Sequence, residues 1–184
     1  MELNQEEIQQ KFLPSYLLTE DIEKKAQRMI GKTIWLNNTI DPKSFFNLSS
    51  SRFNRFDQVL VIDTFPYQNS NSDYPVWLKV ESELKGIGFV RFNGQEGRVG
   101  VQDHYYVSDP LPSSWGKQVV KKILNKRVEV GMKDRQVRIS IGNPSFVNTT
   151  SSRHGIGEQW VYLDQKGNKT YYQFENGRLT YIND

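Results

Sequence analysis

Near the end of the chain two alternating runs flank the dipeptide Asn176-Gly177. Both residue types accept positive φ, which a type I′ turn requires at its two central positions, so the dipeptide commits its flanks to a β-hairpin. On the leading side Thr170, Tyr172 and Phe174 share one face, and Lys169, Tyr171 and Gln173 share the other. On the following side Leu179 and Tyr181 repeat the apolar spacing. A run before them alternates Trp160 and Tyr162 with Gln159, Val161 and Leu163, and Gln165-Lys166-Gly167-Asn168 makes a tight turn into the next. The three runs predict a three-stranded antiparallel meander. Residues 148–157, rich in Ser, Thr and Asn, read as a polar turn leading into it.

Two helical patterns precede the meander. Trp115, Val119, Val120, Ile123 and Leu124 make an apolar stripe that Ser113 or Ser114 can cap, with Lys117, Lys121 and Lys122 on the other face. A second short helix is expected from about 134 to 141, with Val137 and Ile141 facing the sheet, Gly142 ending it and Pro144 preventing its continuation. Asp109-Pro110-Leu111-Pro112 is a turn and a boundary.

Upstream of that boundary the period is that of strands. Thr33-Ile34-Trp35-Leu36, the run from 58 to 65, the run from 75 to 80, the run from 86 to 92 and the run from 104 to 107 each read as one strand. Val76, Leu78 and Val80 fall on one face of theirs, Trp77 and Lys79 on the other. Residues 66–73 and 93–97 read as loops. Five short strands with polar connections predict a small barrel. The rings of Trp35, Trp77 and Tyr105 either fill its core or line a groove. Residues 1–31 read as two short helices: Asn4 and Glu7 fit a capping box that Pro14 closes, and Thr19 caps a second helix whose Ile22, Ala26, Met29 and Ile30 share a face before Gly31.

The composition is that of a folded chain, with 36% hydrophobic and 24% charged residues, and it holds no cysteine. Disulfides, thiolate nucleophiles and Cys-ligated metals are therefore excluded. No apolar run is long enough to span a bilayer. Met1-Glu2-Leu3-Asn4-Gln5-Glu6-Glu7 is acidic where a leader is basic, so either the protein is cytosolic or Met1 follows a removed leader.

No catalytic set is expected. His104 and His154 are the only histidines and lie fifty residues apart, which is not a metal-ligand spacing, and no nucleophile elbow accompanies them. Gly86-Ile87-Gly88 belongs to a strand with no following helix, so it is no phosphate loop. Glu81 and Glu83 read as a solvent-facing pair. No cofactor or metal is expected. The net charge is +3, and residues 117–138 hold eight Lys or Arg against two acids. That stretch is either a solvated helix face or a surface for anionic head groups, an acidic partner or nucleic acid.

Gly131-Met132, Gln136-Val137, Gly142-x-Pro144, the run Glu158-Gln159-Trp160-Val161-Tyr162 and the run from Phe174 to Leu179 occur in order at spacings that resemble the BamE/SmpA-like lipoprotein domain. The likeness covers about residues 113–184. Trp77-Leu78-Lys79-Val80 with Gly86-Ile87-Gly88-Phe89-Val90 resembles a bacterial SH3-like barrel. Together they imply an α+β chain: an N-terminal helical arm at 1–31, an SH3-like β-barrel at 32–110, and a two-helix plus three-stranded antiparallel sheet module at 113–184. The implied protein is a non-enzymatic cell-envelope protein, a lipoprotein or exported protein with its leader removed, that binds another envelope protein or assists assembly. The alternative is a cytosolic SH3-like adaptor binding peptide or nucleic acid through 117–138, although no specific nucleic acid is expected. The sequence departs from the family at Lys133, where a capping Thr is usual. Loss of such a cap costs about 1 kcal/mol, so this helix is expected to be short or frayed, with Asp134 offsetting part of the loss through the dipole.

Candidate binding residues are Tyr171, Gln173, Arg178 and Thr180, which alternation places on the sheet face away from Trp160 and Phe174, together with Trp77, Lys117, Lys121 and Lys122. Tyr and Arg are residue types that interfaces favour. The competing reading is that all of them are ordinary exposed side chains.

Overall fold

Strand makes up about 43% of the chain and helix about 19%, and the strands form two antiparallel sheets of six and four. The computed structural model describes residues 15–66, 76–92, 104–153 and 155–183. These fall into two compact units, Met1–Asp109 and Pro110–Asp184. The expected α+β architecture, with a small barrel and a two-helix, three-strand module, is therefore corrected to a mostly β one.

In the first unit α1 (Ser15–Gln27) precedes β1 (Thr33–Leu36), β2 (Phe45–Asn47), β3 (Gln58–Pro66), β4 (Val76–Ser82), β5 (Gly86–Arg91) and β6 (Tyr105–Tyr106). The sheet order is β2-β5-β4-β3-β1-β6, and among the described residues β2 and β6 do not pair with each other. The strand missing from the sequence reading is β2, whose three residues are too few for a period to show. It pairs with β5, Phe45 opposite Val90 and Phe46 opposite Phe89. The alternation in β4 buries Val76, Leu78 and Val80 completely, and Ile34, Leu36, Val61, Val90 and Phe92 join them. Ala26 and Met29 close that core from the helical side, and Gly31 at φ 82 turns the chain into β1. The helix runs through Thr19 without a break, so Thr19 is not its cap. The capping box at Asn4 and Glu7 lies outside the described residues.

In the second unit a 3₁₀ turn (Ser113–Trp115) leads into α2 (Gly116–Leu124) and α3 (Asp134–Ile141), followed by β7 (Phe146–Ser152), β8 (Gly155–Leu163), β9 (Lys169–Glu175) and β10 (Arg178–Asn183). The order is β10-β9-β8-β7. The fourth strand, β7, takes residues 148–152 from the stretch that the sequence reads as a polar turn. Its Asn, Thr and Ser content has a physical cause. An edge strand exposed on both faces shows no apolar alternation, while Val147, Thr149 and Thr150 still favour extended backbone. All of 146–151 are exposed.

The Asn176-Gly177 turn has φ 48 and 74, both positive as a type I′ turn requires, and it sets Glu175 opposite Arg178. Asn176 also accepts the Ile156 N–H through Oδ1 at 3.2 Å, tying the start of β8 to the hairpin. The helix behind Lys133 is short but not loose. Gln136 Oε1 accepts the Lys133 N–H at 2.8 Å, and the Asp134 N–H donates to the Gly177 carbonyl at 3.0 Å. An ammonium has no acceptor, so this is half of a capping box, completed by the hairpin rather than by a hydroxyl.

The β8–β9 turn is held by one carboxylate. Asp164 accepts the backbone N–H groups of Lys166 and Asn168 at 2.8 Å each and the Asn168 side-chain amide at 2.7 Å. These bonds, the Asn168 side chain first, hold its carboxyl below the ordinary aspartate value. A depressed pKa contributes stability above the ordinary aspartate range, and that contribution is lost as pH falls through the folded value. The Asp164 titration, followed by NMR, is expected to move upward in Asn168→Ala. A midpoint identical in both proteins would refute this account of the turn.

Candidate functional site

Each sheet turns one face to its core and leaves the other to solvent. On the outer face of the first sheet, β4 places Trp77 and Lys79, β5 places Phe89 and Arg91, β3 places Phe65 and β2 places Phe46. The register brings them together: Phe46 opposite Phe89, Phe89 opposite Lys79, Arg91 opposite Trp77, and Trp77 opposite Phe65. The Phe46 and Phe89 rings stack with centroids 4.8 Å apart. Trp77 meets Phe46 edge-on at 5.1 Å, and Phe65 meets Phe89 edge-on at 5.6 Å. The Arg91 guanidinium lies 5.9 Å from the Trp77 ring. Phe46 remains 41% exposed and Phe65 47%, whereas Phe89, beneath them, is buried. Asp63 stands on the same face in the row of Lys79 and Phe89, and Glu81 stands opposite Leu60.

Of the three rings proposed from sequence for a groove, Tyr105 is fully buried in the core and Trp35 is half-buried on β1. Trp77 alone lies in the ring cluster. Phe46, Phe65 and Phe89 were not singled out. Their positions in sequence carry no mutual signal, because strand order decides which of them meet.

In the second unit Trp160, Phe174 and Leu179 are buried on the inner face, with the Arg138 guanidinium 4.1 Å from the Trp160 ring. Tyr162 donates its O–H to the Gly142 carbonyl at 2.8 Å, and burial raises its phenol above the ordinary value, so it stays a donor. The outer face carries Gln159, Gln173 and Tyr181 in one cross-strand row, and Val161, Tyr171 and Asn183 in the next. Gln159, Tyr171, Gln173, Tyr181 and Asn183 line a shallow hollow of about 280 Å³. Tyr181 was expected on the face of Leu179. A bulge between them moves it, since Leu179 opposes Phe174 and Tyr181 opposes Gln173, which leaves Thr180 unpaired in the ladder. One extra residue reverses the count of faces. Thr180 itself bonds the Gln173 carbonyl through Oγ1 at 3.1 Å, and Arg178 donates to the Gly131 carbonyl at 3.2 Å. Tyr171 and Gln173 thus share the hollow, whereas Arg178 and Thr180 do not line it.

The basic stretch divides its side chains between solvent and neighbouring groups. Lys117 and Lys121 are exposed on α2, and Lys122 pairs with Glu129 at 2.5 Å. Arg135 lies 5.7 Å from the Trp115 ring, and Arg138 lies on Trp160. Among the described residues no group of three metal-capable side chains comes together, and no helix is long and apolar enough to cross a membrane. Glu81 and Glu83 border a hollow of about 370 Å³ with Thr33, Gln58 and Leu60, and both are exposed. His104 is half-buried, and His154 lies outside the described residues. No family model, curated protein or solved structure matches this chain.

Proposed function

We propose that the protein works by binding rather than catalysis, and that it holds another protein against the aromatic face of its first unit. One observation carries the reading: four rings in mutual contact on a solvent-facing sheet, two of them more than 40% exposed. Apolar residues scattered singly over a surface need no explanation, but a contiguous cluster marks an interaction site. Trp, Phe and Arg are the residue types that interface centres favour. Because the rings already pack on one another, they are held in place before a partner arrives, which lowers the entropy cost of binding. Arg91 and Lys79 beside them fit a partner with an apolar or aromatic anchor and carboxylates at its rim.

The same two cations support a second reading, in which the rings stack the bases of a single-stranded nucleic acid. Asp63 and Glu81 weigh against it, because they put negative charge where phosphates would run.

Affinity capture with the intact chain, compared with the double variant Phe46→Ser/Phe65→Ser, separates these. The expected result is a partner protein retained by the native chain and lost by the variant, with affinity falling at least about thirtyfold for two central anchors. A Tyr181→Ser control in the other unit should retain it. A capture that ignores the loss of both rings sinks the proposal. Binding of an oligothymidylate at low salt that Arg91→Gln abolishes would favour the second reading.

A further inference from the structure

Among the described residues four strands end the two sheets: β2 and β6 in one, β7 and β10 in the other. An edge strand presents unpaired N–H and C=O groups and is a template for another chain. Proteins suppress it with very short strands, charge, proline or a bulge. Three of the four edges carry such a device. β2 has three residues and β6 has two. β10 begins at Arg178 and is broken by the bulge at Thr180. β7 has none. It runs for seven residues, Phe-Val-Asn-Thr-Thr-Ser-Ser, without charge or proline, and its register with β8 is regular from Phe146 to Ser152. Phe146 is 58% exposed and Val147 is 41% exposed.

We propose that β7 is a docking edge for a second copy of this chain, the two β7 strands pairing antiparallel about a twofold axis to join two four-stranded sheets into one. The absence of charge selects this occupant. Like charges opposite each other destabilise a ladder, and a strand meeting its own copy is the case in which every charge would be duplicated. A twofold contact uses the same patch on both chains. With Thr149 opposite Thr149 of the other copy, all seven residues are paired: Asn148 meets Thr150, Val147 meets Ser151 and Phe146 meets Ser152. Thr149 against Thr149 is a hydrogen-bonding pair of the kind that cross-strand contacts favour, and none of the other pairs sets like charges against each other. A single strand edge falls short of the roughly 1,200 Å² of a standard interface, so association depends on concentration. This inference lies in the second unit and is independent of the aromatic face.

Light scattering on the intact chain over a range of concentrations tests it. The mass is expected to rise from 21.5 kDa toward twice that value as concentration increases. Thr149→Lys keeps every backbone donor and sets two ammonium groups against each other on the axis. It should weaken association roughly five- to tenfold while leaving the melting curve of the monomer in place. Amide exchange gives a second readout: protection at 146–152 should grow with concentration. Phe46→Ser/Phe65→Ser should leave the mass curve unchanged. A mass of one chain at every concentration overturns the proposal and leaves β7 to a foreign strand. A dimer that Thr149→Lys does not weaken, or whose 146–152 amides exchange as in the monomer, also overturns it.

Discussion

Trp160→Ala should destabilise the C-terminal unit by about 3–5 kcal/mol, the usual cost of removing a fully buried aromatic. The side chain has no exposed surface. Its ring lies 4.2 Å from that of Phe174 and beneath the Arg138 guanidinium, and its indole N–H donates to Glu158 Oε2 at 2.8 Å. Alanine removes all three contacts and leaves a cavity between α3 and the sheet. Trp160→Phe keeps a ring against Phe174 and loses the indole donor, so it should cost less, about 1–2 kcal/mol. Amide exchange reads the loss by position. Protection at Phe174 and Leu179 should collapse in Trp160→Ala while that at Val61 and Val80 holds. Native protection at Phe174 in the alanine variant would mean that the Trp160 ring does not hold this core.

Gly88→Ala should cost the first unit about 1–3 kcal/mol, and the reason is space rather than conformation. A Cβ at this position would lie 2.7 Å from Cζ of Phe45 and 2.9 Å from its Cε2. Phe45 sits at the sheet end with its ring laid over the glycine of the neighbouring strand, a known way of covering a residue that has no side chain. It cannot withdraw easily, because it is 5% exposed and meets Phe53 edge-on at 5.2 Å. A smaller partner should therefore relieve the clash. The double variant Gly88→Ala/Phe45→Leu is expected to be more stable than the sum of the single losses predicts, and denaturant unfolding of the four proteins in a cycle measures it. Strict additivity would refute the steric account.

How far the sequence foretold this molecule depended on whether the deciding interaction was local. The Asn176-Gly177 turn was legible because two adjacent residues set it. The buried face of β4 was legible because Val76, Leu78 and Val80 alternate without interruption. The fourth strand of the second sheet was not, since an exposed edge needs no apolar period and its Thr and Ser imitate a loop. Counting faces along β10 failed after Leu179, because a bulge is a property of the pairing and leaves no mark at Thr180 itself. The candidate site was least legible. Phe46, Phe65 and Phe89 meet Trp77 only through a sheet order in which β2 lies beside β5, and nothing near any one ring announces the other three. The basic stretch carries no sign in sequence of which of its cations pack on rings, and Arg135 and Arg138 lie against Trp115 and Trp160.

The bulge at Thr180 also decides how far an assembly can grow. A sheet open at both edges can add copy after copy, β7 of one chain meeting β10 of the next, and such head-to-tail contacts close into rings or run on as fibres. With β10 interrupted, pairing through β7 uses the one long regular edge among the described strands and stops at two. Thr180 is the residue without an opposite number in the ladder, so deleting it would leave Leu179 and Tyr181 on their present faces and make β10 regular. A single deletion, next to the buried Leu179, would then change a self-limiting pair into a polymerising chain.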